Sequence, residues 1–317
     1  MEDNMTSVNT NDEFVLTTDN IVKVYRGHKV LDNVSMHIKK GDIYGFVGEN
    51  GAGKTTIIRV VTGLIFANSG SFTLFGVSSK SPEILKARTR TSAIVEAPSI
   101  YLNLSAFENL KMQMIMLGLP VDENRIKEIL NIVGLADVNT KKQSVNYSLG
   151  MRQRLGIAMC LVNNPEFMIL DEPLNGLDPE GIVSMRNLIL KLNKEHNITF
   201  LISSHILTEL ALVATKYGII SKGKLIKEIT KEELDESNQT RTIIETSDNS
   251  KAYSIIKDLI SNKMSMDSNS IVVYGDVEMN EILKALMTES ISINNIKKIE
   301  ASIEDFYIST IGGARNE

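Results

Sequence analysis

Hydrophobic positions between Phe14 and Ile229 follow two alternating spacings. Short runs rich in β-branched residues predict strands, and segments with an apolar residue every three or four positions predict helices. Strands that alternate with helices are typical of an α/β domain with a largely parallel sheet, because parallel strands need long crossover connections. The predicted strands are Val34–Ile38, Ile43–Val47, Ser71–Phe75, Ser92–Val95, Phe167–Leu170, Ile198–Ile202 and Tyr217–Ile220.

Two amphipathic segments, Ala106–Leu117 and Glu123–Val133, interrupt this alternation because no strand lies between them. We therefore expect a helical subdomain inserted into the α/β domain. A helix is also predicted at Thr56–Leu64, directly after the strand Ile43–Val47 and a glycine-rich loop.

A change in pattern near Lys231–Thr240, where charged and polar residues cluster, predicts a domain boundary. The chain is thus expected to contain a loose segment 1–13, a main domain 14–230 and a small α+β domain 241–317. The last domain carries no catalytic motif, so stabilisation or dimer contacts are expected of it, with regulation as an alternative. Its predicted elements, in chain order, are Thr242–Thr246, Lys251–Ser261, Ser270–Tyr274, Glu278–Thr288, Ile291–Lys298 and Ile303–Thr310.

Composition and charge exclude several classes of protein. The 317 residues exceed what one hydrophobic core usually holds, and 43% of them are hydrophobic, as in globular proteins. A net charge of −5 argues against a nucleic-acid partner. No run reaches the ~18 apolar residues that cross a bilayer, and the single cysteine, Cys160, fits a reducing compartment. We expect a soluble protein that acts on membranes only through another polypeptide.

A glycine-rich loop fits the pattern G-x-x-x-x-G-K-[ST] between a predicted strand and a predicted helix. In such a loop, backbone N–H groups surround phosphates, Lys54 reaches the terminal phosphates, and the Thr55 hydroxyl holds Mg²⁺. The loop therefore predicts nucleotide binding. Its residues are Gly48, Glu49, Asn50, Gly51, Ala52, Gly53, Lys54, Thr55 and Thr56.

An acidic pair, Asp171 and Glu172, ends the predicted strand Phe167–Leu170. A carboxylate in the first position suits a Mg²⁺ ligand, and one in the second can deprotonate an attacking water. Such a pair alone is more often a solvated turn, but together with a phosphate loop it predicts nucleotide hydrolysis.

Residues 146–154, with the sequence Asn-Tyr-Ser-Leu-Gly-Met-Arg-Gln-Arg, precede the acidic pair. They resemble the L-S-G-G-Q-x-Q-R signature of the ATP-binding-cassette ATPase family, and the resemblance runs from about Asn20 to Lys227. Leu149 and Met151 stand where the family has glycine and glutamine. An ordinary capped helix is the alternative. The positions that match the family are Ser148, Gly150, Gln153 and Arg154.

Three further positions fit the same family. Tyr25 matches the aromatic residue that stacks on adenine, although a core tyrosine is an alternative. His205 matches the histidine that contacts the γ-phosphate, and Asp178 matches the acidic residue of a turn at the dimer interface. The resemblance implies catalytic roles for Lys54, Glu172 and His205. The remaining histidines match nothing in the family.

Glu96 is the most informative departure, because most of the family has glutamine there. A carboxylate in this position would serve Mg²⁺ with Thr55 and Asp171 but would add a negative charge. Together with the altered signature, Glu96 resembles the branch that exports bacitracin and lantibiotic-type peptides. In that branch the segment 96–101 and the helix after it resemble the surface that docks the membrane partner. A neutral surface glutamate is the alternative.

The resemblance implies an ATPase that uses ATP and Mg²⁺ and works as a head-to-tail homodimer. Ser148 and Gly150 of one copy would face the γ-phosphate held by the other, at the cytoplasmic face of the membrane beside a polytopic permease. Two alternatives stay open. One is an exporter of a lipid, an ion or another drug, and the other is a soluble ATPase of translation or repair. The single phosphate loop and the absence of a long heptad insert argue against the second alternative.

Overall fold

The computed structural model describes residues 13–237, 240–267, 269–299, 306 and 310. It divides into two compact units: the first runs to Lys231 and also includes Thr310, and the second begins at Glu232. No helix in the described ranges is both long and apolar enough to span a bilayer. The predicted loose segment 1–13 lies outside the described residues except for position 13, and the predicted helix Ile303–Thr310 lies outside them except for positions 306 and 310.

A six-stranded sheet in the order β11-β10-β4-β9-β8-β7 forms the centre of the first unit. All its strands run parallel except β11 at one edge. The three central strands are buried throughout, which explains why they read as continuous apolar runs in the sequence. The bounds are β4 (Ile43–Val47), β7 (Thr91–Ile94), β8 (Phe167–Asp171), β9 (Thr199–Ser204), β10 (Lys216–Ser221) and β11 (Lys224–Thr230).

A second, antiparallel sheet was not predicted, and the predicted strand Val34–Ile38 is wrong. Val34 ends one strand and Ile38 lies in the next, because the long strand β1 pairs with both in turn. Buried Thr18 satisfies the backbone groups at the break between the two strands, because its hydroxyl donates to the Val34 carbonyl and accepts from the Met36 N–H. The strands are β1 (Phe14–Tyr25), β2 (His28–Val34), β3 (His37–Lys39), β5 (Ser69–Leu74) and β6 (Val77–Ser78).

The inserted helical subdomain is confirmed and consists of α3 (Ala106–Met116) and α4 (Glu123–Ile132). A capping box starts α3, in which Ser105 and Glu108 satisfy each other's backbone N–H groups. The α/β fold class is confirmed as well. The other helices of this unit are α1 (Lys54–Thr62), α2 (Ile84–Arg88), α5 (Leu149–Leu161), α6 (Pro179–His196) and α7 (Leu207–Leu210).

The second unit is an antiparallel sheet in the order β13-β14-β12-β15 with its own apolar core. Helices α9 and α10 bury Ile256 and Ile282 in that core beside Ile244 and Val273 of the sheet. The polar segment Lys231–Thr240, where the domain boundary was predicted, begins with a helix that was not predicted, α8 (Lys231–Ser237). The other elements are β12 (Arg241–Thr246), α9 (Asn249–Leu259), β13 (Met264–Met266), β14 (Ile271–Tyr274), α10 (Met279–Thr288) and β15 (Ile293–Ile299).

Candidate active site

The phosphate loop connects β4 to α1 at the carboxyl edge of the parallel sheet. Gly48 has no room for a side chain, because a Cβ atom there would lie 2.5 Å from the carbonyl oxygen of Ile220. Gly53 caps α1 with a φ of 110°, which side-chain-bearing residues rarely adopt. The glycines therefore fit the close backbone course of the loop, and the positive end of the α1 dipole points into it.

Lys54, the first residue of α1, is only 6% exposed. Its Nζ donates to the carbonyl oxygen of Gly48 at 2.6 Å and lies 3.2 Å from Oε1 of Glu172. The loop thus holds a buried ammonium whose partners are the carbonyl oxygens of Gly48 and Glu49 and the carboxylate of Glu172. A phosphate oxygen that replaced one of these partners would form a strong charge-assisted hydrogen bond.

Thr55 and Asp171 meet across the edge of the sheet. The Thr55 hydroxyl donates to Oδ2 of Asp171 at 2.8 Å, while Oδ1 accepts a hydrogen bond from the Ser203 hydroxyl at 2.5 Å. Hydroxyl and carboxylate oxygens of this kind are ligands that hard cations prefer. The described ranges contain no group of three or more His, Cys, Asp or Glu side chains that could hold a metal ion.

Glu172 lies between the ammonium of Lys54 and the imidazole of His205. Its Oε2 is 2.7 Å from Nδ1 of His205, and its Oε1 is the atom near Lys54. Its backbone has a φ of 51°, and its N–H donates to the Ser203 hydroxyl at 2.9 Å. Sequence reasoning missed Ser203, which orients both acids of the pair. Its place near the end of a buried strand beside β8 was the available signal.

Glu96 is in the left-handed region with a φ of 65°, and its side chain is 65% exposed. It lines one cavity with Glu172, Gln153 and Asn175. Its carboxylate, however, pairs with the guanidinium of Arg59 in α1. No hydrogen bond found among the described residues joins Glu96 to Thr55 or Asp171. Arg59 was not singled out by the sequence.

Ser148 and Gly150 lie at the start of α5. Ser148 caps α5 by accepting from the Met151 N–H at 3.2 Å. Both residues line a cavity of about 400 Å³ with Gly176 and Asp178, which itself caps α6. None of the described residues that line this cavity belongs to the phosphate loop.

Tyr25 ends β1 and is 41% exposed, which is incompatible with the alternative of a core tyrosine. The Lys23 ammonium lies 5.0 Å from its ring centroid and donates to the Phe66 carbonyl oxygen at 2.7 Å. The ring is thus accessible to a stacking ligand and is flanked by a cation.

Comparisons with known proteins identify the family of this chain. The ABC transporter family model matches residues 31–175. The chain is 42% identical over 305 residues to the bacitracin transport ATP-binding protein BcrA of Bacillus licheniformis, covering 94% of this chain and 98% of the relative. It is 44% identical over 214 residues to the lantibiotic transport ATP-binding protein SrtF of Streptococcus pyogenes, covering 68% and 90%.

A solved structure gives the same result for the fold. CbiO1 of Clostridium perfringens, part of an ABC transporter complex, matches with a TM-score of 0.63 and 25% identity, covering 70% of this chain and 90% of that one. The sheet edge described above carries the phosphate loop and the acidic pair that such proteins need for their reaction. The chain therefore belongs to the ABC transporter family, as an ATP-binding subunit that hydrolyses ATP.

Proposed function

We propose that this subunit powers a membrane transporter that exports, or gives resistance to, a peptide antibiotic of the bacitracin or lantibiotic type. The observation that carries the proposal is the 42% identity with a bacitracin transport protein, which extends over 305 residues. That match takes in 94% of this chain, so most of the small second unit is included with the ATPase unit. Glu96 and the altered signature beside Ser148 support the same branch.

ATP with Mg²⁺ is the proposed substrate, held by the phosphate loop while Tyr25 stacks on the adenine. Thr55 and Asp171 would hold the metal ion, with Glu96 as a further candidate ligand. The ion would supply charge neutralisation for the phosphates. Lys54 then stabilises charge on the terminal phosphates, and Glu172 accepts a proton from the attacking water. His205 orients the carboxylate of Glu172.

Two copies would act as a head-to-tail dimer. Supporting this, Ser148 and Gly150 lie at a helix N-terminus that lines an open cavity to which no described residue of the phosphate loop contributes. N–H groups at a helix N-terminus favour anions, so this surface suits the γ-phosphate of a nucleotide held by a second copy. Asp178, in the same cavity, would lie at the interface.

A polytopic permease is the second proposed partner, and it would keep this subunit at the cytoplasmic face of the membrane. The segment after Glu96 contributes to a groove of about 880 Å³. Its lining includes Pro98, Tyr101, Met116 and Leu85. Leu85 is 68% exposed and Met116 is 64% exposed. Exposed apolar side chains grouped in one groove are typical of protein contact sites, which favours a helix of the membrane partner as its occupant.

Copurification tests the proposal. The chain, coexpressed with the membrane protein encoded beside it, is expected to bind that protein, and bacitracin or a lantibiotic is expected to stimulate ATPase activity of the complex. Deletion should sensitise cells to the same peptides. A stable complex whose activity responds to a lipid, an ion or another drug instead would support the alternative cargo. Binding to ribosomes or DNA without a membrane partner would favour the soluble alternative.

A further inference from the structure

Helix α1 carries an arginine on the same side as the proposed metal ligand. Thr55 and Arg59 are four residues apart, so they lie one turn from each other on one face of the helix. Both are half-buried, whereas Ile57 and Ile58 between them are fully buried. The guanidinium of Arg59 therefore lies near the ATPase site without being part of the phosphate loop.

Negative charge accumulates in this part of the molecule. Asp171 ends β8, Glu172 follows it, and Glu96 lines the same cavity as Glu172. Lys54 pairs with Glu172, and Arg59 pairs with Glu96. A bound nucleotide would add its own phosphate charges. A glutamate at position 96 consequently raises the electrostatic cost of nucleotide binding unless a nearby cation compensates its charge.

From these contacts we infer that Arg59 is a positioning residue of the ATPase site, which neutralises Glu96 and holds its carboxylate beside α1. The inference rests on the proposed role of this site in binding ATP. The pair is too exposed to contribute much to folding stability, so its effect falls on ligand binding. A residue that contacted phosphate directly would behave differently, because its loss could not be repaired at position 96.

A double-mutant cycle on the full chain tests this role of Arg59. The affinity for ATP is measured by calorimetric titration, once in EDTA and once with Mg²⁺. R59Q is expected to weaken metal-free ATP binding roughly three- to tenfold, because Glu96 then repels the phosphates. In the E96Q background the same change should cost less than about twofold. R59K, which keeps the charge, should retain most of the affinity. An equal loss in both backgrounds, or no loss in either, overturns the inference.

The pair of Arg90 and Glu166 provides the matched control, since it is another exposed arginine–glutamate contact, with 2.6 Å between Nε and Oε1. R90Q is expected to leave ATP affinity unchanged, and melting curves without nucleotide should show R59Q still folded. Lys54→Ala distinguishes a failure of the proposed ATP site from a failure of the role inferred for Arg59. If K54A binds ATP as well as the unaltered chain, the proposed site itself is wrong, whereas failure of the cycle alone removes only the role of Arg59.

Discussion

Oε2 of Glu172 lies 2.7 Å from Nδ1 of His205, while the other carboxylate oxygen faces Lys54. The carboxylate is thus held in one orientation by two groups from different parts of the chain. We predict that Glu172→Gln lowers ATP turnover by about a hundredfold or more, because an amide cannot accept the proton of the attacking water. ATP binding should persist, and size-exclusion chromatography with ATP should reveal a trapped dimer.

The control for this change is Glu195→Gln at an exposed position of α6, which should hydrolyse ATP at the normal rate. Steady-state phosphate release measures both variants. Unchanged turnover in the Glu172 variant would remove the general-base role from this residue.

Ser203 should matter for both acids of the pair. Its hydroxyl donates to Asp171 and accepts from the Glu172 N–H, and it is fully buried. Ser203→Ala is expected to cost about 1–3 kcal/mol of folding stability and to raise the Mg²⁺ concentration needed for half-maximal activity. Ser92 lies in another strand of the same sheet, β7, and its hydroxyl donates to the Cys160 carbonyl. Ser92→Ala removes that hydrogen bond and should leave the Mg²⁺ requirement unaltered. An equal effect of both changes on Mg²⁺ would contradict this role.

Helix α5 contains two glycines with opposite expected responses. A Cβ atom at Gly156 would lie 2.5 Å from Cβ of Pro98, so Gly156→Ala should destabilise the protein by about 1–3 kcal/mol despite the better helix propensity of alanine. A Cβ atom at Gly150 would lie 3.7 Å from Cδ2 of Leu177, which is an ordinary van der Waals contact. Gly150→Ala should therefore fold normally but weaken ATP-dependent dimerisation. Thermal melts and chromatography measure the two effects, and a stable Gly156 variant would refute the clash.

Acid should weaken a contact between β11 and β4. Burial alone would raise the pKa of Glu228, but hydrogen bonds from His37, the charge of Lys216 and a hydrogen bond from Tyr44 bring that pKa below its ordinary value of 4.5. A pKa that is lower in the folded state stabilises the fold above the unfolded value, and this contribution is lost as the pH falls through the folded pKa. We predict that Glu228→Gln lowers the melting temperature at pH 7.

The difference in melting temperature from the unaltered chain should shrink as the pH falls below about 4.5, the ordinary value of the carboxyl group, and through the lower pKa that Glu228 has in the folded protein. Glu195→Gln should show no such trend. A difference that stayed constant between pH 7 and pH 3 would mean that the contribution of Glu228 is not ionic.

Local patterns were reliable where burial makes a segment uniform. The strand Ile43–Val47 was predicted with the bounds that the structure has, because a strand covered on both faces is apolar throughout. The long strand β1 was missed because polar residues such as Asp19 and Asn20 interrupt it, and only pairing with β2, β3 and β5 makes it a strand. The same pairing divides Val34 from Ile38.

The sequence by itself determined the chemistry of the phosphate loop and of the acidic pair, because each is a short run whose residue types and spacing suffice. Which groups meet was decided only by the tertiary structure. Thr55 and Asp171 are 116 residues apart, and Ser203 and Arg59 reach the site from a different strand and from the second turn of α1. Such contacts depend on the order of strands in the sheet, which arises from packing of the whole chain rather than from any local segment.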